Sequence, residues 1–167
     1  MQVEAINHRL VKFVWAALIF FAWSLIQGFI QGGVPSIRLL MEAGPGGMIG
    51  HAHTHVGLMG WTSLPLMAAI YYLVPIFSGK SIVWPKLIEW IFWIFVICTA
   101  VSSVLYMVAG AVGGSAFVAG VEGAQLQSIV SSYATPAGIF CTISAIAGLM
   151  FIVQICVSLS RGSKATS

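Results

Sequence analysis

Three histidines, His51, His53 and His55, alternate with other residues at the start of the segment HAHTHVGLMGW. Imidazole nitrogens bind transition metals and haem iron, and an ionisable side chain inside an apolar span is costly enough to indicate a function. On an α-helix, residues four apart share a face, whereas residues two apart point about 200° away from each other. His51 and His55 are therefore predicted to face one way and His53 the other.

This spacing leaves several interpretations open. One helix could present axial ligands to two different cofactors, one on each flank, or the His51/His55 pair alone could chelate copper or zinc. The histidines could also cap a helix at a membrane interface, where water satisfies them. Gly50, Gly57 and Gly60 stand nearby, and their missing side chains would let a flat macrocycle approach the backbone.

The composition identifies a lipid bilayer as the surroundings of this chain. Of its 167 residues, 59% are hydrophobic and 7% are charged, and the mean hydropathy is +1.01. A soluble domain carries about a quarter of its residues as charges, so a water-soluble fold is excluded. The net charge of +3 comes without a basic stripe, which argues against nucleic-acid binding. The three cysteines (Cys98, Cys141, Cys156) fall in apolar runs and are interpreted as apolar packing residues.

Apolar runs of about 20 residues or more can cross the hydrocarbon, and they predict four transmembrane helices at about 10–31, 51–74, 84–111 and 128–159. Pro85 suits the first turn of the third helix. A β-barrel is excluded because the alternation of a barrel strand is missing. The predicted fold class is all-α, with residues 1–167 forming a single four-helix transmembrane bundle. The fourth run is longer than a membrane requires, so one of its ends is expected to project or fray.

The basic residues predict the orientation of this bundle. With the N-terminus inside, Arg38 is the one basic residue on the outer side, where it stands near Glu42. The other basic side chains fall on the inner side: Arg9, Lys12, Lys80, Lys86, Arg161 and Lys164. Positive charge marks the cytoplasmic side of membrane proteins, so both termini are predicted to be cytoplasmic and the histidines to lie near the outer face.

The second predicted span resembles a known helix. His53-Thr54-His55, then Gly60-Trp61, then Tyr72-Leu73-Val74-Pro75 is similar to the H-x-H…GW…Y-x-x-P helix of the haem–copper oxidase catalytic subunit. The cbb-type oxidases are the nearest form and the nitric oxide reductases the next. The likeness covers about residues 25–160 and is strongest from His53 to Gly114. It corresponds to the last of the three four-helix groups of that subunit.

The resemblance implies a haem site. In the family, the first histidine of the H-x-H pair ligates the high-spin haem and the second ligates the low-spin haem, which gives these roles to His53 and His55. A register with His51 and His53 as the pair also fits, but the ungapped match downstream favours His53/His55. The implied cofactor is haem b, with Trp61 and Gly57 beside it and His51 as a further candidate metal ligand. Copper is a possible further cofactor, but the sequence offers no complete ligand set for it.

The sequence departs from the family in its missing ligands. In the family, histidines of another helix group hold copper, and one of them is linked to a tyrosine. Here no other predicted span contains a histidine, since His8 precedes the first. One copy therefore cannot assemble a haem–copper centre. Three copies would reproduce the family's pseudo-threefold arrangement, with His53 of one protomer facing His55 of the next. We expect a homo-oligomer, with a trimer favoured, or a subunit of a respiratory complex.

Several functions are compatible with these features. A bis-histidine haem b electron-transfer protein of the inner (cytoplasmic) membrane is favoured, because such ligation leaves no open iron position. The alternatives are a homo-oligomeric reductase of oxygen or nitric oxide, a copper- or zinc-binding membrane protein, and a haem-free accessory subunit. No catalytic residue is assigned, and the redox partners stay open. Gln27 and Gln31, on one face of the first helix, are candidate hydrogen-bond partners of a ligand histidine.

Overall fold

The computed structural model describes residues 2–163, with the side chains of residues 9–163. Six α-helices follow one another: α1 (Gln2–Gly33), α2 (Pro35–Glu42), α3 (Met48–Thr54), α4 (Leu64–Ser78), α5 (Leu87–Val118) and α6 (Gly123–Arg161). A 3-10 turn, Gly44–Gly47, precedes α3, and a π-helical segment, His55–Ser63, joins α3 to α4. Residues 2–163 contain no β-strand. Lys164 and the side chain of His8 lie outside the described part.

Four helical stretches are long and apolar enough to cross a membrane: Arg9–Gly33, Gly44–Ser78, Leu87–Val118 and Gly123–Arg161. The prediction of an all-helical chain with four membrane-spanning helices is therefore confirmed for residues 2–163. Large apolar side chains such as Ile19, Phe29 and Phe77 point away from the bundle, as expected where lipid is the solvent. The chain is a multi-pass membrane protein.

Three predicted helix starts differ from the observed ones, and the fourth helix begins at Gly123 instead of residue 128. The second span begins at Gly44 instead of His51, because the Gly-Pro-Gly-Gly sequence forms a 3-10 turn that leads directly into α3. The third helix begins at Leu87, after Pro85, because Trp84 has a left-handed backbone with φ of 49° and cannot be part of the helix. His51 therefore lies seven residues after the start of the second span, not at its first residue.

The π-helical segment arises where proline interrupts the α-helical ladder. Pro65 has no N–H to donate, and its ring crowds the carbonyl of residue i−4, which is Trp61. The ladder responds by shifting to bonds over five residues. Two hydroxyl groups follow the same longer spacing: Thr62 Oγ1 donates to the Gly57 carbonyl at 3.1 Å, and Ser63 Oγ donates to the Leu58 carbonyl at 2.8 Å.

Helices α5 and α6 pack closely through small, hydroxyl-bearing side chains. The hydroxyls of Thr99 and Ser144, both fully buried, hydrogen-bond to each other at 2.8 Å. Such contacts hold membrane helices together where lipid removes the hydrophobic driving force. Helix α1 packs on the second span through a core that includes the fully buried Phe13, Leu64 and Tyr71.

A buried glutamine clamps the connection between α4 and α5. Gln154 of α6 accepts a hydrogen bond from Tyr71 Oη at 2.7 Å, and its Nε2 donates to the carbonyls of Val83 and Trp84 at 2.7 and 3.0 Å. A left-handed conformation costs a non-glycine residue about 1–2 kcal/mol. The two bonds from Gln154 offset that cost at Trp84 and fix the end of the bundle opposite the histidines.

Candidate functional site

The histidine segment is held against α5 by a close approach of two backbones. A Cβ atom added to Gly110 of α5 would lie 2.7 Å from the backbone nitrogen of Ile49 and 3.2 Å from the Gly46 carbonyl oxygen. No other residue type fits there without displacing α3. This contact fixes the distance between α3 and α5 one turn before the histidines.

His55 lies on the α5 flank of the second span. Its ring meets the ring of Tyr106 edge to face, with centroids 5.3 Å apart and an interplanar angle of 88°. His51, His55 and Tyr106 border one open cavity of about 400 Å³, together with Met48 and residues of the 3-10 turn. This volume is within the range of small-molecule sites.

His53 lies on the opposite flank, against α1. A Cβ atom added to Gly28 would lie 3.2 Å from Cε1 and 3.7 Å from Nε2 of the imidazole. The glycine therefore leaves the space that the edge of the His53 ring fills. The ring is half-buried between α1 and α3.

One face of the second span is left open between these two flanks. His51, Thr54 and Leu58 are exposed along it, while Ala52 and Val56 on the other side are fully buried. His53 and His55 stand at the two edges of this open face. The structure thus places the two imidazoles on opposite flanks, as their spacing of two residues predicts.

Each of the two imidazoles has a buried nitrogen without a partner. Within the side chains of residues 9–163, Nδ1 of His53 and Nδ1 of His55 are inaccessible and receive no hydrogen bond. A buried polar atom left unpaired costs about 1–3 kcal/mol. Both rings therefore have a nitrogen that could still form a hydrogen bond. His51 differs from them because its side chain is exposed.

The two glutamines named from the sequence both bind a backbone carbonyl. Gln27 Nε2 and Gln31 Nε2 donate to the Ile49 carbonyl oxygen at 3.5 and 3.2 Å. In this structure neither makes the expected hydrogen bond to a histidine ring. They instead tie α1 to α3 one turn before His53.

Gly57 and Trp61 both pack on α1. A Cβ atom on Gly57 would lie 3.5 Å from Ser24 Oγ, and Trp61 stacks on Phe21 with ring centroids 4.2 Å apart. Their observed contacts are those of helix packing. Contact of either residue with a haem stays a prediction.

No compact metal cage is found in the described part of the chain. Among its side chains, no three from histidine, cysteine, aspartate and glutamate converge on a common point. His51 and His55 share a cavity, as the i, i+4 spacing predicts, but His53 is on the other flank. A metal at the His51/His55 pair would need further ligands from solvent or from another chain.

Neither Tyr106 nor Gly28 is predicted from the sequence as a site residue. Tyr106 is an ordinary aromatic residue in an apolar helix, and no local pattern marks it. Gly28 directly follows Gln27, so its position beside a candidate partner of the histidines was an available signal. Comparisons of this chain with protein-family models, with curated proteins and with solved structures find no match. The resemblance to the haem–copper oxidase catalytic subunit stays a prediction from the sequence.

Proposed function

We propose that this chain is a haem b-binding electron-transfer protein of the membrane, with His53 and His55 as axial ligands. The observation that carries the proposal is the pair of imidazoles at the two edges of one open helix face, each with a buried Nδ1 that lacks a partner. A haem iron bound by two histidines has no open position, which suits electron transfer.

The residues present fit such a group. The space at Gly28 accommodates the His53 ring, and the edge-to-face contact with Tyr106 orients the His55 ring. When bound, the iron would supply one-electron oxidation and reduction, and the protein would supply ligands and orientation. Gly57 and Trp61 are the predicted neighbours of the macrocycle.

The two imidazoles point away from each other, so we infer that one haem joins two protomers. His53 of one copy would face His55 of the next, with the haem between second spans, and a trimer would close the ring. The exposed Leu58 leaves this face accessible to a neighbour. Alternatively, the chain would be a subunit of a respiratory complex, in which a different chain supplies the second axial ligand.

The basic residues support an inner-membrane location with both termini in the cytoplasm. Lys12 pairs with Glu89, Arg9 Nη1 donates to the Pro85 carbonyl, and Lys80 Nζ donates to the Leu159 carbonyl. These contacts gather the basic side chains at one end of the bundle, away from the histidines. By the positive-inside rule this end is cytoplasmic, which puts the histidine cluster near the outer face.

Absorption spectra of the purified protein test the proposal. We expect a sharp low-spin Soret and α-band spectrum after reduction that carbon monoxide leaves unchanged. His53→Ala and His55→Ala should each abolish it, whereas His51→Ala, the matched control on the same turn, should retain it. Absence of a Soret band after haem is supplied, or unchanged spectra in both ligand variants, contradicts the proposal. A carbon monoxide shift favours the reductase alternative.

Mixed oligomers test the intersubunit haem. When His53→Ala and His55→Ala chains carrying different tags are co-expressed and purified through both tags, some interfaces contain one intact histidine from each chain. We expect part of the low-spin spectrum to return in these mixtures and none in either variant alone. Haem retained by a demonstrably monomeric wild-type protein contradicts the oligomer.

The shared cavity of His51 and His55 favours a second candidate, a copper or zinc site. Zinc titration of the haem-free protein, followed by calorimetry, distinguishes this metal site from the proposed haem site. Binding lost in both His51→Ala and His55→Ala but kept in His53→Ala supports the metal site.

A further inference from the structure

Gln27 has an unusual environment for an amide. The side chain is 6% exposed, its Nε2 donates to the Ile49 carbonyl at 3.5 Å, and the same nitrogen lies 3.9 Å from Met107 Sδ. The amide oxygen Oε1 is buried and has no hydrogen-bond partner. Since Oε1 is buried, a protein donor close to it is the partner that we look for first.

Two other buried side-chain atoms in the described part of the chain also lack a partner, and the one on the α1 flank belongs to His53. Among the side chains of residues 9–163, the buried unpaired atoms are Gln27 Oε1, His53 Nδ1 and His55 Nδ1. Oε1 can only accept, whereas an imidazole nitrogen can donate. His55 is on the α5 flank beside Tyr106. His53 is on the α1 flank, with its ring edge against Gly28, the residue after Gln27.

The two side chains also meet the same part of α3. Gln27 is anchored on the carbonyl of Ile49, which is four residues before His53. Helical side chains lean towards the N-terminus of their helix, so the His53 ring leans towards Ile49. Neither atom has a hydrogen-bond partner in the conformation described, so a bond between them requires the amide or the imidazole to rotate about its side-chain torsions.

We propose that Gln27 is the positioning residue of His53 and that its Oε1 accepts a hydrogen bond from Nδ1–H of the imidazole. A neutral imidazole carries one proton, so this bond fixes the tautomer with the proton on Nδ1 and the lone pair on Nε2. The inference rests on the proposed haem ligation and names the side chain that tunes one ligand. Partners of this kind raise the basicity of a histidine ligand.

Gln31 provides a matched control. Its Nε2 donates to the same Ile49 carbonyl at 3.2 Å, so Gln31→Met removes an amide bond to the same atom. Its amide oxygen is not among the buried unpaired atoms. Gln27→Met removes both the donor and the proposed acceptor, and Gln27→Glu keeps an acceptor at the same place.

The tautomer of His53 is measured by ¹⁵N NMR of the haem-free protein labelled at histidine, with His53→Ala identifying the signals. We expect the Nδ1-protonated form of His53 in the wild type, in Gln31→Met and in Gln27→Glu. In Gln27→Met we expect a mixture of both tautomers. An unprotonated Nδ1 in the wild type, or an unchanged tautomer in Gln27→Met, overturns the proposal. If Gln27→Met does not fold, the wild type and Gln27→Glu still decide the tautomer.

The midpoint potential of the haem-loaded protein gives a second measurement. We expect Gln27→Met to bind haem about 10–100-fold more weakly and to have a raised potential, because a less basic ligand stabilises ferric iron less. Gln27→Glu should lower the potential, and Gln31→Met should match the wild type. Equal shifts in Gln27→Met and Gln31→Met overturn the proposal. If the wild type binds no haem, the proposed function fails, while the tautomer measurement still tests the hydrogen bond.

Discussion

The rings of His55 and Tyr106 meet almost perpendicularly between the second span and α5, with centroids 5.3 Å apart. Aromatic pairs in this geometry contribute about 0.5–1.5 kcal/mol beyond the area they bury. The contact limits the rotation of the imidazole about its own side chain. Tyr106 thereby holds one of the two histidines at the edge of the open helix face.

Replacing Tyr106 tests this contact. Tyr106→Leu should destabilise the protein in detergent by about 1 kcal/mol and, in the haem-loaded protein, broaden the low-spin electron paramagnetic resonance signal. Tyr106→Phe keeps the ring and should resemble the wild type in both measurements. Tyr72→Leu, at an exposed tyrosine of α4, is the control. A Tyr106→Leu protein with an unaltered signal would show that the ring does not orient His55.

A side chain at Gly28 should displace the ring of His53. A Cβ atom there lies 3.2 Å from Cε1, and the two methyl groups of valine extend further into the same space. Gly28→Val is therefore expected to lower haem occupancy, measured as the Soret absorbance per protein, by on the order of tenfold. Gly32→Val, one turn later on α1 with open space around it, should retain full occupancy. Equal occupancy in both variants contradicts the assigned role of Gly28.

Gly110→Ala should force α3 away from α5. The added Cβ lies 2.7 Å from the backbone nitrogen of Ile49, and a backbone atom cannot move aside as a flexible side chain can. Overpacking of this kind costs about 1–3 kcal/mol, which thermal unfolding in detergent, followed by circular dichroism, can measure. Val112→Ala, on the exposed side of the same helix, should change the unfolding temperature little. An unchanged unfolding temperature in Gly110→Ala would mean that the backbones are not in contact.

Gln154 and Tyr71 should behave as one unit. Gln154→Leu leaves the Tyr71 hydroxyl and the carbonyls of Val83 and Trp84 without their partner, and we expect a loss of about 1–3 kcal/mol in the free energy of unfolding. Tyr71→Phe should cost less, because Gln154 keeps its two bonds to the loop. In the double variant the losses should not add. Additive losses in a double-mutant cycle would contradict the direct bond.

The sequence allowed the helices and the relative directions of the histidines to be predicted. Long apolar runs reveal membrane helices because nothing else can satisfy the backbone in lipid, and a spacing of two residues puts His53 and His55 on opposite flanks on any α-helix. The start of the second span was not predictable in the same way. Gly44–Gly47 has the composition of a loop, and only its contact with the glycines of α5 shows why it is helical.

The partners of the histidines depend on tertiary contacts that no local pattern encodes. The spacing of Gln27 and Gln31 predicts that they share one face of α1, but their common acceptor, the Ile49 carbonyl, belongs to another helix. Tyr106 lies far from His55 in the sequence and meets it because Gly110 lets α3 approach α5. Such contacts follow from how two helices pack, which is decided by many residues together.

The π-helical segment His55–Ser63 lies between the histidines and the core residues of α4. It therefore determines the angle about the helix axis between these two sets of side chains. A residue in a π-turn advances around the helix axis by less than the 100° of an α-helix, so Leu64, Met67 and Tyr71 reach the core only with this lag in place. If the same nine residues were α-helical, α4 would be turned further around its axis against α3, and its core residues would face away from the bundle. The longer hydrogen-bond spacing of this segment therefore decides which side of α4 faces the core.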